Sequence, residues 1–315
     1  MGEGVDWETN VAPTIELSGI DSVTISPSIQ TEIVRAYRGG IMPGRDFIEP
    51  RHEVDGCSIG GFAIYEQIPY WINLLQFAAE GLTRNWVAPT TAQLDPALTT
   101  LVVGHAGAAY GITSPVAKNL SFSWNWGEPL KWSMDLMGYN VVDDALVALA
   151  ETATASLTYI TACQATTYID IVTKLGDTEA TNVMSGNINI NPNRKYLRRS
   201  GSCYPAGVYD SPYWDVTGNL ILEADAASIA LADAVAAGGT RRMIRVAFAS
   251  GGLSLTFDIA ALLRVPSLLK DEDGLEVVDL QFELIEEGDF TSTPTGEMDG
   301  TFEITSVTTD ADLWA

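Results

Sequence analysis

The chain has 315 residues, 46% hydrophobic and 18% charged, and its 41 acids against 17 bases give a formal charge of −24. That length can bury one large core or two medium ones, and the composition excludes low-complexity disorder. The charge excludes a surface made to grip a phosphate backbone.

Residues 1–20 read as an extended arm of Gly, Pro, Asn and acids, without the apolar run of a signal peptide. "SVTISPSI", residues 22–29, alternates like a strand with one wet face, and Pro27 marks an edge or a strand end. Residues 37–56, broken by "RGGIMPGRD" and Pro50, read as a long loop. "CSIGGFAIYEQIPYWINLLQFAAEG", residues 57–81, starts as a strand with Cys57, Ile59, Gly61, Ala63 and Tyr65 on one face. It then predicts a helix entered at Pro69, carrying Trp71, Ile72, Leu75, Phe77, Ala78 and Ala79, and closed at Gly81. "NLSFSW" (119–124) and "LKWSMDLMGYNV" (130–141) read as strands, and the spacing of Trp124, Trp126 and Trp132 puts them on one face of a hairpin, for packing. Residues 143–178 begin with a short predicted helix and continue into "TTYIDIVTKL", which reads as the first strand of a second unit.

That second unit repeats the plan of the first. "VTGNLILEADAASIALADAVAAGG", residues 216–239, aligns with the opening stretch without a gap when Gly61 is placed on Gly218. Ile64 then falls on Ile221, Glu66 on Glu223, Ile72 on Ile229 and Gly81 on Gly238, and Asp225 is placed to cap the second helix. Upstream, "VTISPS" is echoed by "ININPN" (188–193); downstream, "NLSFSW" is echoed by "GLSLTF" (252–257) and "LKWSMDLMGYNV" by "LEVVDLQFELI" (275–285). Each half reads strand, long loop, strand, one helix, then at least two strands. The expected organisation is a mainly β chain with one module and an N-terminal arm over 1–150, a second module over 151–290 and a C-terminal arm over 291–315. Within that arm "TFEITSV" (301–307) reads either as a free strand for pairing with another subunit or as a frayed end.

Chemistry is sparse. His52 and His105 are the only histidines, with no HExxH and, at His105, no neighbouring carboxylate. Cys57, Cys163 and Cys203 form no CxxC and read as reduced thiols. The Gly-rich run 104–111 is neither a P-loop nor GxGxxG, "SGSC" is no nucleophile elbow, and "KDEDG" (270–274) reads as an exposed turn. No catalytic, cofactor-binding or metal-binding residue is assigned, and no stretch of about 18 uncharged apolar residues predicts a membrane span. Basic residues cluster at Arg35, Arg38, Arg45 and Arg51, at Arg194, Lys195, Arg198 and Arg199, and at Arg241, Arg242 and Arg245. In so acidic a chain these suit docking on acidic surfaces of neighbouring copies.

The stretches "GFAIYEQIPYWINLLQFAAEG", "NLSFSWNWGEPLKWSMDLMGYN", "WDVTGNLILEADAASIALADAV" and "LEVVDLQFELIEEGD" together resemble the major tail tube protein of long non-contractile-tailed phages. The resemblance covers most of residues 20–289 and is architectural. It implies a β-sandwich or barrel module flanked by one helix, whose inner strands join with those of its neighbours into a closed barrel around a channel for DNA. It implies no catalytic residue and no cofactor. Its partners are other copies of itself, the tape measure, tail terminator and distal tail proteins, and DNA that passes without specific binding; its place is the virion tail, after synthesis in the host cytoplasm. Two modules per chain depart from the commonest pattern, so three chains are expected to supply six modules. An acidic excess suits such a channel where acids line the bore. The alternatives are a tube protein of a contractile tail or a type VI-like machine, and a tandem β-sandwich that binds ligands at a surface.

Overall fold

The computed structural model describes residues 17–36, 44–75, 81–88, 100–105, 108–144, 157–171, 174–209, 214–238, 240–272, 274–285 and 301–308. Period-two patterning builds most of it. In Val116–Asn125 the side chains of Leu120, Phe122 and Trp124 are buried while Ser123 and Asn125 face solvent, and in Lys131–Gly138 Trp132, Met134 and Leu136 are buried while Lys131, Ser133 and Asp135 face solvent. A strand whose alternate residues differ this way must lie on a core with one face wet.

In the first half the strands are β1 (Ile20–Thr24), β2 (Pro27–Ala36), β3 (Gly44–Phe62), β4 (Thr83–Val87), β5 (Thr100–His105), β6 (Ala108–Thr113), β7 (Val116–Asn125), β8 (Lys131–Gly138) and β9 (Asn140–Asp144). The second half holds β10 (Ala165–Asp170), β11 (Val183–Asn191), β12 (Lys195–Leu197), β13 (Gly207–Tyr209), β14 (Asp215–Glu223), β15 (Thr240–Ser250), β16 (Leu253–Glu272), β17 (Leu275–Leu284) and β18 (Phe302–Val307). Helix α1 is Ile68–Asn73, and α2 is Ala226–Ala236. The main antiparallel sheet runs β1-β3-β8-β7-β11-β14-β17-β16-β15-β10. The order β1-β3-β8-β7 thus recurs as β11-β14-β17-β16, and the two sets join through β7 and β11, with Phe122 opposite Ile188.

Gly61 and Gly218 occupy matching places for one physical reason. A Cβ on Gly61 would stand 2.1 Å from the Gly19 carbonyl oxygen; one on Gly218 would stand 2.1 Å from that of Asn187 and 2.4 Å from the Phe282 ring. Gly61 pairs with Trp132, and Gly218 with Phe282. No side chain fits between backbones this close. The echoed strands β1 and β11 flank these glycines equivalently, because Val23 faces Ile59 as Ile190 faces Val216. That register places "ININPN" two residues away from its letter match with "VTISPS".

Several expectations change. The predicted loop 37–56 is, over its described part, strand: β3 begins at Gly44 and pairs with β2 from Gly44 to Val54, so the two make a long hairpin. Pro27 opens β2, where its missing N–H is tolerated. α1 ends at Asn73 and is buried on all sides; Phe77, Ala78 and Ala79 lie outside the described residues, and Gly81 does not close it. "GLSLTF" lies in β16 but pairs with β15 and β18, whereas it is 261–272 that stands against β17 as β7 stands against β8. "TTYIDIVTKL" gives β10, an edge partner of β15, and β11 takes the place matching β1. β18 is neither free nor frayed, since it pairs with β16 on one side and β4 on the other. The boundary near residue 150 lies outside the described residues.

Strand order recurs, yet the core does not divide. Phe122 packs on Phe257 at 4.9 Å between ring centroids, and Trp124 meets Phe248 edge-on at 5.6 Å, so β7 of the first half and β15–β16 of the second bury one continuous apolar interior. In the first half Trp71 of α1 lies against Trp132 at 4.5 Å. α2 is capped as predicted: the Asp225 carboxylate accepts from the Ala227 and Ser228 amides, and Ser228, Ala232 and Val235 turn inward.

Candidate functional site

The main sheet presents a continuous wet face. Its rungs cross the halves without a break. One passes from Ser133 through Ser121, Asn189 and Thr217 to Glu283; the next passes from Lys131 through Ser123, Asn187, Asn219 and Gln281 to Arg264. Amides and hydroxyls dominate, and the Ser121 and Ser133 hydroxyls bond directly at 2.7 Å. Among described side chains, Asp135, Asp215, Glu223, Asp279 and Glu283 stand on this face with Lys131, Arg264 and Lys270, and Lys195 reaches it at the groove, so five acids meet four bases, while Lys118 pairs with Asp55 at 2.9 Å. The described wall thus carries a slight acidic excess. Where the halves meet, the wall dips into a groove of about 550 Å³ lined by Asn189, Asn191, Lys118, Lys195, Asp135 and Asp215.

The sheet leaves edges open among the described residues. β1 has β3 on one side alone, and β16 beyond Leu263 has β17 on one side alone, because β15 ends opposite Leu263. Unpaired N–H and C=O rows of this kind are templates for another strand.

The basic clusters do not all behave as docking charges. Arg194, 5% exposed, donates to the carbonyl oxygens of Leu74 and Ala117 at 2.9 and 2.8 Å and also to that of Leu75. It is a clasp that the second half closes on the first, since a planar guanidinium can serve several carbonyls at once. Tyr196 follows, donating to the Val54 carbonyl; burial pushes its phenol pKa well above the ordinary range. Arg198 then pairs with the buried Glu53 at 2.6 Å, a bond that raises the guanidinium pKa further. Arg245 holds the buried Asp258 with two hydrogen bonds, at 2.7 and 3.0 Å. Lys195 and Arg199 remain exposed and have no bonded partner among the described residues. Arg35 and Arg45 face each other in register on the β2–β3 hairpin, and Arg38 lies outside the described residues. Sequence reasoning missed the clasp because nothing local distinguishes Arg194 from Arg199.

His52, in the expected loop, falls in β3 opposite Ile29, and His105, in the Gly-rich run, falls in β5 opposite Ala108. Trp124 and Trp132 are core residues, but Trp126 sits in the β7–β8 turn, 78% exposed. Asp271 stands near the end of β16, where its carboxylate accepts from the Gly274 amide of the β16–β17 turn. Cys57 is buried, Cys163 and Cys203 exposed, and all three are free thiols. Among the described residues no three His, Cys, Asp or Glu side chains gather as a metal site, and no helix is long and apolar enough to cross a membrane.

The family model described as phage tail tube protein matches residues 8–310. No curated protein matches the sequence.

Proposed function

The chain belongs to the phage tail tube protein family, and from that premise we propose that it polymerises as stacked rings into the tail tube of a long non-contractile-tailed phage, a conduit through which DNA is ejected. The observation that supports this reading is the seam inside the chain. Strand order β1-β3-β8-β7 is continued by β11-β14-β17-β16 through one β7–β11 pairing, and among the described residues this eight-strand run still has open edges along β1 and along β16 beyond Leu263. One chain carries two successive segments of a wall whose ends ask for more of the same. Closing such a wall removes its edges, and a head-to-tail contact whose rotation closes gives a ring. In this reading residues 1–150 and 151–290 are tandem modules, and three chains supply six of them in a homotrimeric, pseudo-sixfold ring.

The polar sheet face then lines the bore. Phosphates meet mostly Asn, Ser and Thr with a slight acidic excess, so the wall offers DNA no cationic grip. No catalytic step is assigned. The further partners are the tape measure, terminator and distal tail proteins of the same tail. Electron cryomicroscopy of assembled protein tests the reading: hollow tubes whose rings contain three chains support it, and a ring of six whole chains, or a monomer that stays dispersed at high concentration, overturns it.

A further inference from the structure

The two ends of the sheet differ in charge. At one end lie the turns β7–β8 and β16–β17. This end exposes Trp126 at 78% and Leu275 at 47%, with Asp271 and Glu276 also exposed. Asp271 and Glu276 are direct cross-strand partners. Like charges placed opposite each other destabilise a hairpin, so an uncovered tip carries an unfavourable pair.

The opposite end is closed by the ribbon β12–β13. Its inner face, Tyr196 and Val208, packs on Val116 and Met137, the last rung of β7 and β8. Its outer face presents Lys195 beside Tyr209, with Leu197 next along; Tyr209 is 50% and Leu197 39% exposed. Arg199 follows, exposed. Glu128 at the turn end is paired with Lys131, and Arg198 at the ribbon end with Glu53; Lys270 stands beside Asp271. What remains for a neighbour is chiefly the Asp271–Glu276 pair with two apolar side chains at one end, and Lys195 and Arg199 with two apolar side chains at the other.

We propose that copies of this chain stack along the strand direction with the acidic turn end of one, Asp271, Glu276, Trp126 and Leu275, seated on the basic ribbon end of the next, Lys195, Arg199, Leu197 and Tyr209. The proposal rests on the stacked-ring reading above and adds its polarity. A cationic ribbon relieves the Asp271–Glu276 repulsion, and the aromatic and aliphatic groups supply the desolvated centre that such contacts need.

The test uses the full chain in two charge-reversed forms, Lys195→Glu with Arg199→Glu, and Asp271→Lys with Glu276→Lys, examined by negative-stain microscopy. Each form alone, shown folded by circular dichroism, is expected to give rings of wild-type diameter and to lose tubes. An equimolar mixture is expected to regain tubes, because each acidic ribbon then meets a lysine-bearing tip and each basic ribbon an acidic one. Tubes of wild-type length from either form alone, or a mixture of folded forms that does not restore them, overturn the proposal. If the wild type gives no rings, the reading under "Proposed function" fails first. A reversed form that does not fold is replaced by Lys195→Gln with Arg199→Gln, for which unchanged tube length likewise overturns the proposal.

Discussion

Replacing Arg194 by alanine removes the clasp between the halves. The guanidinium is 5% exposed and donates to three backbone carbonyls, of Leu74, Leu75 and Ala117. Hydrogen bonds from a charged donor contribute about 1.5–3 kcal/mol each, and carbonyls left buried without a donor add to the loss. The three share one side chain and are not additive, so the expected loss is about 4 kcal/mol. At roughly 2.1 cal/mol/K of unfolding entropy per residue, a chain of 315 residues has about 0.66 kcal/mol/K, and the midpoint falls by about 6 °C. The assay is thermal unfolding followed by near-ultraviolet circular dichroism, on protein dilute enough to be dispersed, since assembly itself raises the midpoint. Arg194→Lys is expected to recover little, because an ammonium is a point donor and cannot span the carbonyls. Arg199→Ala, at an exposed site four residues further on from Arg194's neighbour Lys195, is expected to leave the midpoint alone. A shift under about 1 °C for Arg194→Ala refutes the clasp.

Gly61→Ala and Gly218→Ala each push a methyl into a facing backbone oxygen at 2.1 Å; overpacking of this sort costs about 1–3 kcal/mol, seen as an earlier urea midpoint, and equal stability to wild type contradicts the matched close approach. The Asp225 carboxylate is held below the ordinary Asp range chiefly by hydrogen bonding from Ser228. A depressed carboxyl pKa means that the cap's contribution is present above the unfolded value and is lost as pH falls through the folded one, so amide exchange at Ala227 and Ser228 is expected to quicken relative to intrinsic rates below about pH 4. Thiol titration of the dispersed native chain is expected to find Cys163 and Cys203 reacting fast and Cys57 only on unfolding, since Cys57 is buried and desolvation raises its pKa; three fast thiols contradict the fold at β3.

Much of the fold is written in local pattern. Leu120, Phe122 and Trp124 alternate with polar neighbours, and Asp225 precedes a helix it can cap, so β7 and α2 follow from nearest neighbours alone. The match of Gly61 to Gly218 is legible too, because both answer to the same shortage of space. What failed depended on partners far away in sequence. Residues 44–54 look like loop because Gly44 and Pro50 break propensity, and only pairing with β2 makes them strand. β18 looks unattached because its partners, β4 and β16, lie far back in the chain on both sides of the midpoint. The wall's polarity was only partly legible: total charge says nothing about which face carries it, and only pairing across strands lines up the Asn- and Ser-rich rungs. Arg194 and Lys195 are neighbours in the same basic run, yet one is swallowed by the first half and the other left outside.

The β7–β11 pairing has a consequence for counting. Because that contact is made within one polypeptide, it forms at an effective concentration no separate subunit can match, and it cannot be lost by dilution. If the halves act as the two modules proposed above, an assembly of such chains grows by twos. A tube with one segment too many or too few would need half a molecule, so the commonest miscount open to single-unit subunits has no building block here.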